Sequence, residues 1–181
     1  MTKYIALLRG VNVGGKNQIP MADLKKGFEE WNCRDVMTCL NSGNVVFSTE
    51  IQDPSRVMAS VMAMIKSRFG LDIPVAIIEP AELGEILRQA PKWWGNDRKD
   101  IYDNIIFIIP PATFEEIYGE IGEPKPEMER ISNYKNAIFW SFVRKDYAKT
   151  SWIKTAGSSI NDKVTIRTAN TMRKLLALAA R

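Results

Sequence analysis

The chain of 181 residues contains no histidine. That absence removes the commonest general base at neutral pH, the commonest zinc ligand, and every Ser-His or Cys-His nucleophile pair. Any catalysis therefore falls to Asp, Glu, Lys, Tyr or Cys. Cysteine is almost as scarce. Cys33 and Cys39 are the only two, and their spacing fits neither a zinc half-site nor a redox C-x-x-C. They read as buried free thiols, and no metal or cofactor is expected. Long apolar runs are missing too: none approaches the ~20 residues needed to span a bilayer. The opening Met1-Thr2-Lys3 lacks the layout of a secretory signal. The expectation is a cytoplasmic protein with no membrane partner.

What remains is ordinary in amount and uneven in placement. A hydrophobic content of 45% with 25% charged residues suffices for a real core. The net charge of +4 hides an asymmetry: residues 130 to 181 carry eleven basic against two acidic groups, whereas residues 91 to 129 carry four against nine. Such a basic third attracts nucleic acid or another polyanion, or else it only solubilises one face.

Hydrophobic periodicity predicts strand 3 to 9, helix 20 to 32, strands 35 to 41 and 44 to 49, helix 53 to 69, strand 74 to 79 and helix 80 to 90. Pro20 opens the first helix, with Met21, Leu24, Phe28 and Trp31 on one face. Asp53-Pro54 opens the second and Gly70 closes it. After an irregular stretch from Pro91 to Asp103 the same order returns: strand 104 to 109, helix 112 to 121, strands 129 to 134 and 137 to 143, helix 146 to 156, strand 164 to 168 and helix 170 to 180. Each β-α-β-β-α-β run is the split-βαβ, ferredoxin-like order. The expected fold is α+β: two tandem ferredoxin-like plaits, each with an appended helix. Residues 1–90 form the first, 91–103 the connection and 104–181 a basic second.

This topology places side chains. In such a plait the loop after the first strand and the hairpin between the second and third emerge at one sheet end. Arg9-Gly10-Val11-Asn12-Val13-Gly14-Gly15-Lys16-Asn17 and Asn41-Ser42-Gly43-Asn44 then lie together. Gly14 and Gly15 permit positive φ and close backbone approach, while Arg9, Asn12, Lys16 and Asn17 can donate hydrogen bonds to an anion. Gly10 to Lys16 also approaches the G-x-x-x-x-G-K-[ST] phosphate loop, but Asn17 replaces the magnesium-binding hydroxyl and Gln18-Ile19-Pro20 separates the glycines from the helix. Nucleotide hydrolysis, a glycine-shaped connection and a non-hydrolysing anion site all remain open. Asn41 to Asn44 also fits a plain two-residue hairpin turn. In the second half the same reasoning brings Arg167, Asn170 and Thr171 near Arg144, Lys145 and Lys149, a second candidate anion patch.

Two further patterns favour bland readings. Ser151-Trp152-Ile153-Lys154 is an S-x-x-K without the companion motifs of Ser/Lys acyl-transfer enzymes. The aromatics Tyr134, Phe139, Trp140, Phe142, Tyr147 and Trp152 resemble a base-stacking set. Yet the alternation of Ile138, Trp140 and Phe142 with Phe139 and Val143 suggests a strand covered on both faces, hence core packing. Trp93-Trp94 reads as an anchor for the connection.

The run Leu8 to Asn17, then Met21-Ala22-Asp23-Leu24 and Leu40-Asn41-Ser42-Gly43-Asn44-Val45-Val46-Phe47, resembles the signature of the bacterial domain of unknown function 1697 family. Where that family usually reads Arg-Asn-Trp-Asn-Thr near its C-terminus, this chain keeps Arg167, Asn170 and Thr171 around Thr168-Ala169. The resemblance implies a cytosolic, plait-like α+β protein and brings no established activity. The expected ligand site comprises Arg9, Asn12, Gly14, Gly15, Lys16, Asn41, Ser42, Gly43 and Asn44. The expected function is a non-enzymatic binding module for an anionic small molecule, nucleotide or nucleic acid. Its rivals are an enzyme of phosphoryl- or acyl-group chemistry and a scaffold that pairs through an exposed strand edge.

Overall fold

A computed structural model describes residues 1–157 and 160–181. The chain divides into two compact units, Met1–Gly84 with Arg173–Arg181, and Glu85–Met172. Each is built on a four-stranded, wholly antiparallel sheet.

In unit 1, β1 (Thr2–Leu8), β2 (Arg34–Thr38), β3 (Asn44–Thr49) and β4 (Val75–Ile78) are ordered β2-β3-β1-β4. α1 (Met21–Glu30) starts behind Pro20 without a side-chain cap. α2 (Pro54–Phe69) starts with the Asp53 carboxylate accepting the Ser55 N–H and stops at Gly70, whose φ of 69° is left-handed. The inward stripes of both helices, Leu24, Phe28, Val57, Val61 and Ile65, bury against Tyr4, Ala6, Leu8, Val45 and Phe47. Burying each such side chain is worth about 1.5–3 kcal/mol. At Gly27 of α1 a Cβ would stand 2.9 Å from Sδ of the flexible Met64 side chain of α2. Leu7 pairs with Asn44, so the end of β1 adjoins the start of β3. Pairing thus brings the loop after β1 beside the turn before β3.

In unit 2, β5 (Ile101–Ile108), β6 (Glu129–Tyr134), β7 (Ala137–Val143) and β8 (Val164–Thr168) are ordered β6-β7-β5-β8. One face, with Ile106, Ile138, Trp140 and Phe142, packs on Ile117 and Ile121 of α4 (Phe114–Ile121) and on Trp152. On the other, Trp94 meets Phe139 edge-on at 5.0 Å and donates its indole N–H to the Asn104 carbonyl at 2.7 Å. α3 (Pro80–Arg88) and α5 (Ala169–Ala179) each contribute residues to both units.

Two expectations are corrected. β5 begins at Ile101 rather than at 104, which adds Tyr102 to the sheet opposite Phe142. The helix expected over 146 to 156 is instead two short 3-10 turns, Arg144–Lys149 and Trp152–Ala156. The reason is Glu129. Its buried carboxylate takes the N–H groups of Ser151 (2.5 Å) and Trp152 (3.3 Å), together with Lys125 N–H (3.1 Å) and the Trp140 indole N–H (2.9 Å). Amides bonded to a carboxylate cannot also continue a helical ladder.

Candidate functional site

The loop end of unit 1 is organised by one side chain. Asn12 Nδ2 donates to the carbonyls of Ile19 (2.8 Å) and Asn41 (2.9 Å), and its Oδ1 accepts the Ile19 N–H (2.8 Å). Asn12 therefore ties the glycine loop both to the start of α1 and to the turn before β3. Its own φ of 55° is left-handed, a conformation asparagine tolerates better than most residues. Asn17 closes the loop a second time, donating to the Gly10 carbonyl at 3.2 Å. Asn44, fully buried, donates to the Cys39 carbonyl (2.9 Å) and Ser42 Oγ (3.0 Å) and so shapes the turn. Gly43 sits against β1: its carbonyl accepts the Leu8 N–H at 2.8 Å, and a Cβ on it would stand 2.8 Å from Leu8 Cβ.

Within this frame Val13-Gly14-Gly15-Lys16 forms a tight turn closed by Lys16 N–H donating to the Val13 carbonyl at 3.1 Å. Gly14 and Gly15 have φ of 58° and 76°, the two positive values that a type I′ turn requires. Nothing lies within 4 Å of where their Cβ atoms would be. Among the described residues no hydrogen bond uses their amides or the Lys16 ammonium. Val13 and Leu40 stand 60% and 51% exposed beside them. Arg9, at the end of β1, is half-buried, and burial pushes its guanidinium below its usual range. The nine residues of the first candidate set thus lie on the two adjoining loops at one end of the sheet. Seven of them split into framework (Asn12, Asn41 through its carbonyl, Gly43, Asn44) and open surface (Gly14, Gly15, Lys16), with Arg9 half-buried at the root and Ser42 Oγ accepting from Asn44.

The second candidate patch is only partly assembled. Arg144 and Asn170 line one groove of unit 2, of about 320 Å³. Arg167 is buried and donates to Thr165 Oγ1 (2.9 Å) and the Ile166 carbonyl (2.8 Å), and Thr171 is buried with its hydroxyl on Thr168 Oγ1 (2.9 Å). Lys149 pairs with Asp146 at 3.0 Å, and Lys145 is exposed on the first 3-10 turn. In the S-x-x-K segment Ser151 N–H is held by Glu129 while Lys154 is exposed, and no hydrogen bond joins their side chains among the described residues. Two buried groups escaped the sequence reading, Glu129 and Asn104. The signal for Asn104 was a polar residue inside a largely apolar strand, whereas Glu129 opens the mostly polar β6 and carries no such signal.

No group of three or more acidic or cysteine side chains capable of holding a metal occurs among the described residues, and none of their helices is long and apolar enough to cross a membrane. Cys33 and Cys39 are free, Cys33 buried and Cys39 partly so.

No curated protein matches the chain. Among solved structures it is similar to the conserved bacterial protein SP0830 from Streptococcus pneumoniae, with a TM-score of 0.84, 24% identity, and 98% of each chain covered. At that identity the likeness speaks to the fold. A family model for a protein of unknown function, DUF1697, matches residues 1–139, which takes in both signature loops. The chain belongs to the DUF1697 family of proteins of unknown function.

Proposed function

We propose that this protein is a non-enzymatic, cytoplasmic binding module for an anionic ligand, a nucleotide or nucleic-acid phosphate, held on the Arg9–Lys16 loop beside the Ser42–Gly43 turn. The observation that carries this is the split inside the loop. Asn12 commits both of its polar atoms to fixing the loop, while Gly14, Gly15 and Lys16 are exposed and neither the two glycine amides nor the Lys16 ammonium is engaged in a hydrogen bond among the described residues. A preformed set of donors loses little entropy on closing around an anion, which is the physical requirement for such a site. Arg9 at the loop's root adds positive potential. The strand order shared by the two sheets supports reading each half as a ferredoxin-like plait, a scaffold that presents loops rather than supplying chemistry of its own.

Calorimetric titration with pyrophosphate tests the reading. Saturable binding without turnover is expected, weakened about tenfold by Lys16→Ala, since a hydrogen bond to a charged group contributes about 1.5–3 kcal/mol. Equal affinity in wild type and variant would remove the loop from the site. The exposure of Val13 and Leu40 favours one second reading, in which the same loop end docks a macromolecule. That reading predicts no response to small anions and a concentration-dependent mass in solution.

A further inference from the structure

The sheet of unit 2 carries a second opening that the loop reading does not use. Because β5 starts at Ile101, Tyr102 lies opposite Phe142 and Asn104 opposite Trp140. These four share one face of the sheet. α4 and Trp152 cover the apolar rows at one end of that face. At the other, Tyr102, Asn104, Trp140, Phe142, Arg144 and Tyr147 line a groove of about 440 Å³. That volume lies within the range of small-molecule sites.

The lining is specific in three ways. Phe142 is stacked on Tyr102 with centroids 5.6 Å apart and packs on Tyr147 at 5.1 Å, yet Tyr102 and Tyr147 remain 37% and 40% exposed. Ring faces of this kind accept a planar partner. Asn104 is only 5% exposed, lines the groove, and its side-chain amide takes part in no hydrogen bond among the described residues. An amide open to the groove and bonded to no protein group can offer both a donor and an acceptor to a ligand. Arg144 lies over the Tyr102 ring at 4.7 Å with Nε on the Ile101 carbonyl (3.3 Å), and no hydrogen bond engages its terminal nitrogens among the described residues. A fixed guanidinium at the rim disfavours the quaternary ammonium ions that aromatic cages otherwise attract.

Tyr102 and Arg144 also border the neighbouring groove, where Thr168 caps the start of α5: its Oγ1 accepts the Thr171 N–H at 3.2 Å. Lys99 and Asn170 line that second groove, as do Asp97 and Asp103. Ser141 donates to Asp103. The two grooves meet at Tyr102 and Arg144, one with aromatic rings and Asn104, the other with Lys99 and the start of α5. We infer that this site binds a nucleoside phosphate: the base against Tyr102 and Tyr147 with its edge on Asn104, the phosphate toward Arg144, Lys99 and the start of α5. The inference stands on unit 2 alone and does not depend on the unit 1 loop.

The test is calorimetry of the full chain with adenosine 5′-monophosphate, adenosine and ribose 5-phosphate, alongside anisotropy with a labelled hexa-adenylate RNA. Adenosine monophosphate should bind at least about tenfold more tightly than ribose 5-phosphate, because stacking is worth about that factor or more per base. Tyr147→Ala should weaken it by a similar factor, Tyr147→Phe should restore it, and Arg144→Ala should weaken the monophosphate but not adenosine. Each variant is compared at matched thermal stability. Lys16→Ala should leave this binding intact, which separates the inference from the loop proposal. Tyr147-dependent binding of the free nucleotide identifies a mononucleotide site. The same dependence seen only with RNA identifies the nucleobase source as single-stranded nucleic acid. Equal binding of ribose 5-phosphate and the nucleotide, no effect of Tyr147→Ala, or no binding of either probe overturns it.

Discussion

Gly43 shows how much one residue can fix. Its φ of 68° suits glycine, and a Cβ would stand 2.8 Å from Leu8 Cβ and 3.1 Å from Val11 Cβ, neither of which is the flexible end of a side chain. Gly43→Ala should cost about 2–4 kcal/mol, the sum of left-handed strain and overpacking, read as a shift in the urea midpoint. A shift close to zero would mean the turn is not held against β1. Cys33 makes a different kind of statement. Burial pushes its thiol up to about 12, and burial also raises Cys39 while Lys174 pulls it back. At pH 8.5 iodoacetamide should therefore label Cys39 well before Cys33, as peptide mapping would show. The sign of the linked stability follows. The unfolded thiol ionises near 9 and the folded one only near 12, so this contribution is complete below about pH 9 and is lost as pH climbs toward 12. Cys33→Ala should flatten that alkaline decline.

Among the elements, the segment from Arg144 to Ala156 is the one whose form depends on a distant residue. Propensity and apolar spacing pointed to one helix there, and no local pattern warned that Glu129, two strands' length away in sequence, would claim the amides of Ser151 and Trp152. Glu129→Ala removes the acceptor of three backbone N–H groups and of the Trp140 indole N–H, stranding the Trp152 and Trp140 donors in a buried setting. It should cost about 3–5 kcal/mol in equilibrium unfolding, with Glu129→Gln intermediate because one acceptor survives. Identical stability of all three proteins would show that the carboxylate does not organise the segment. The elements that were legible had both a strong period and punctuation of their own: α2 carries Asp53-Pro54 and Gly70, and the spans of β6 and β7 were read without error. Tyr102 was not legible as a strand residue. Asp103 and Asn104 break the apolar pattern, and only the pairing of Asp103 with Ser141 and of Asn104 with Trp140 explains why the strand runs through them.

For the whole molecule, a strand order repeated after some ninety residues was readable despite negligible identity between halves, because periodicity survives substitution. The compact units were not readable, since Arg173–Arg181, most of it the end of α5, belongs to unit 1 through contacts that carry no sequence pattern. Leu175 and Ala179 are buried, and Lys3 Nζ donates to the Ala179 carbonyl at 3.0 Å. Deleting residues 173 to 181 should therefore lower amide-exchange protection across β1 to β4 more than across β5 to β8. Greater loss in β5 to β8 would contradict that assignment of the C-terminal residues.

The loops at the end of β1 were legible as neighbours, because antiparallel pairing of β1 with β3 dictates it, but the division of labour between them was not. Sequence alone counts Arg9, Asn12, Lys16 and Asn17 as equal candidate donors, whereas the bonds of Asn12 to Ile19 and Asn41 spend that side chain on architecture. The central claim is that the loop so fixed offers Gly14, Gly15 and Lys16 to an anion. An amide-resolved NMR titration of the full chain with pyrophosphate tests it most directly. Saturable shifts concentrated at Val13 to Asn17 and Asn41 to Asn44 are expected, reaching saturation at about tenfold higher pyrophosphate in Lys16→Ala. Amides of this loop that stay unmoved while the anion shifts another surface, or no surface at all, would contradict the claim.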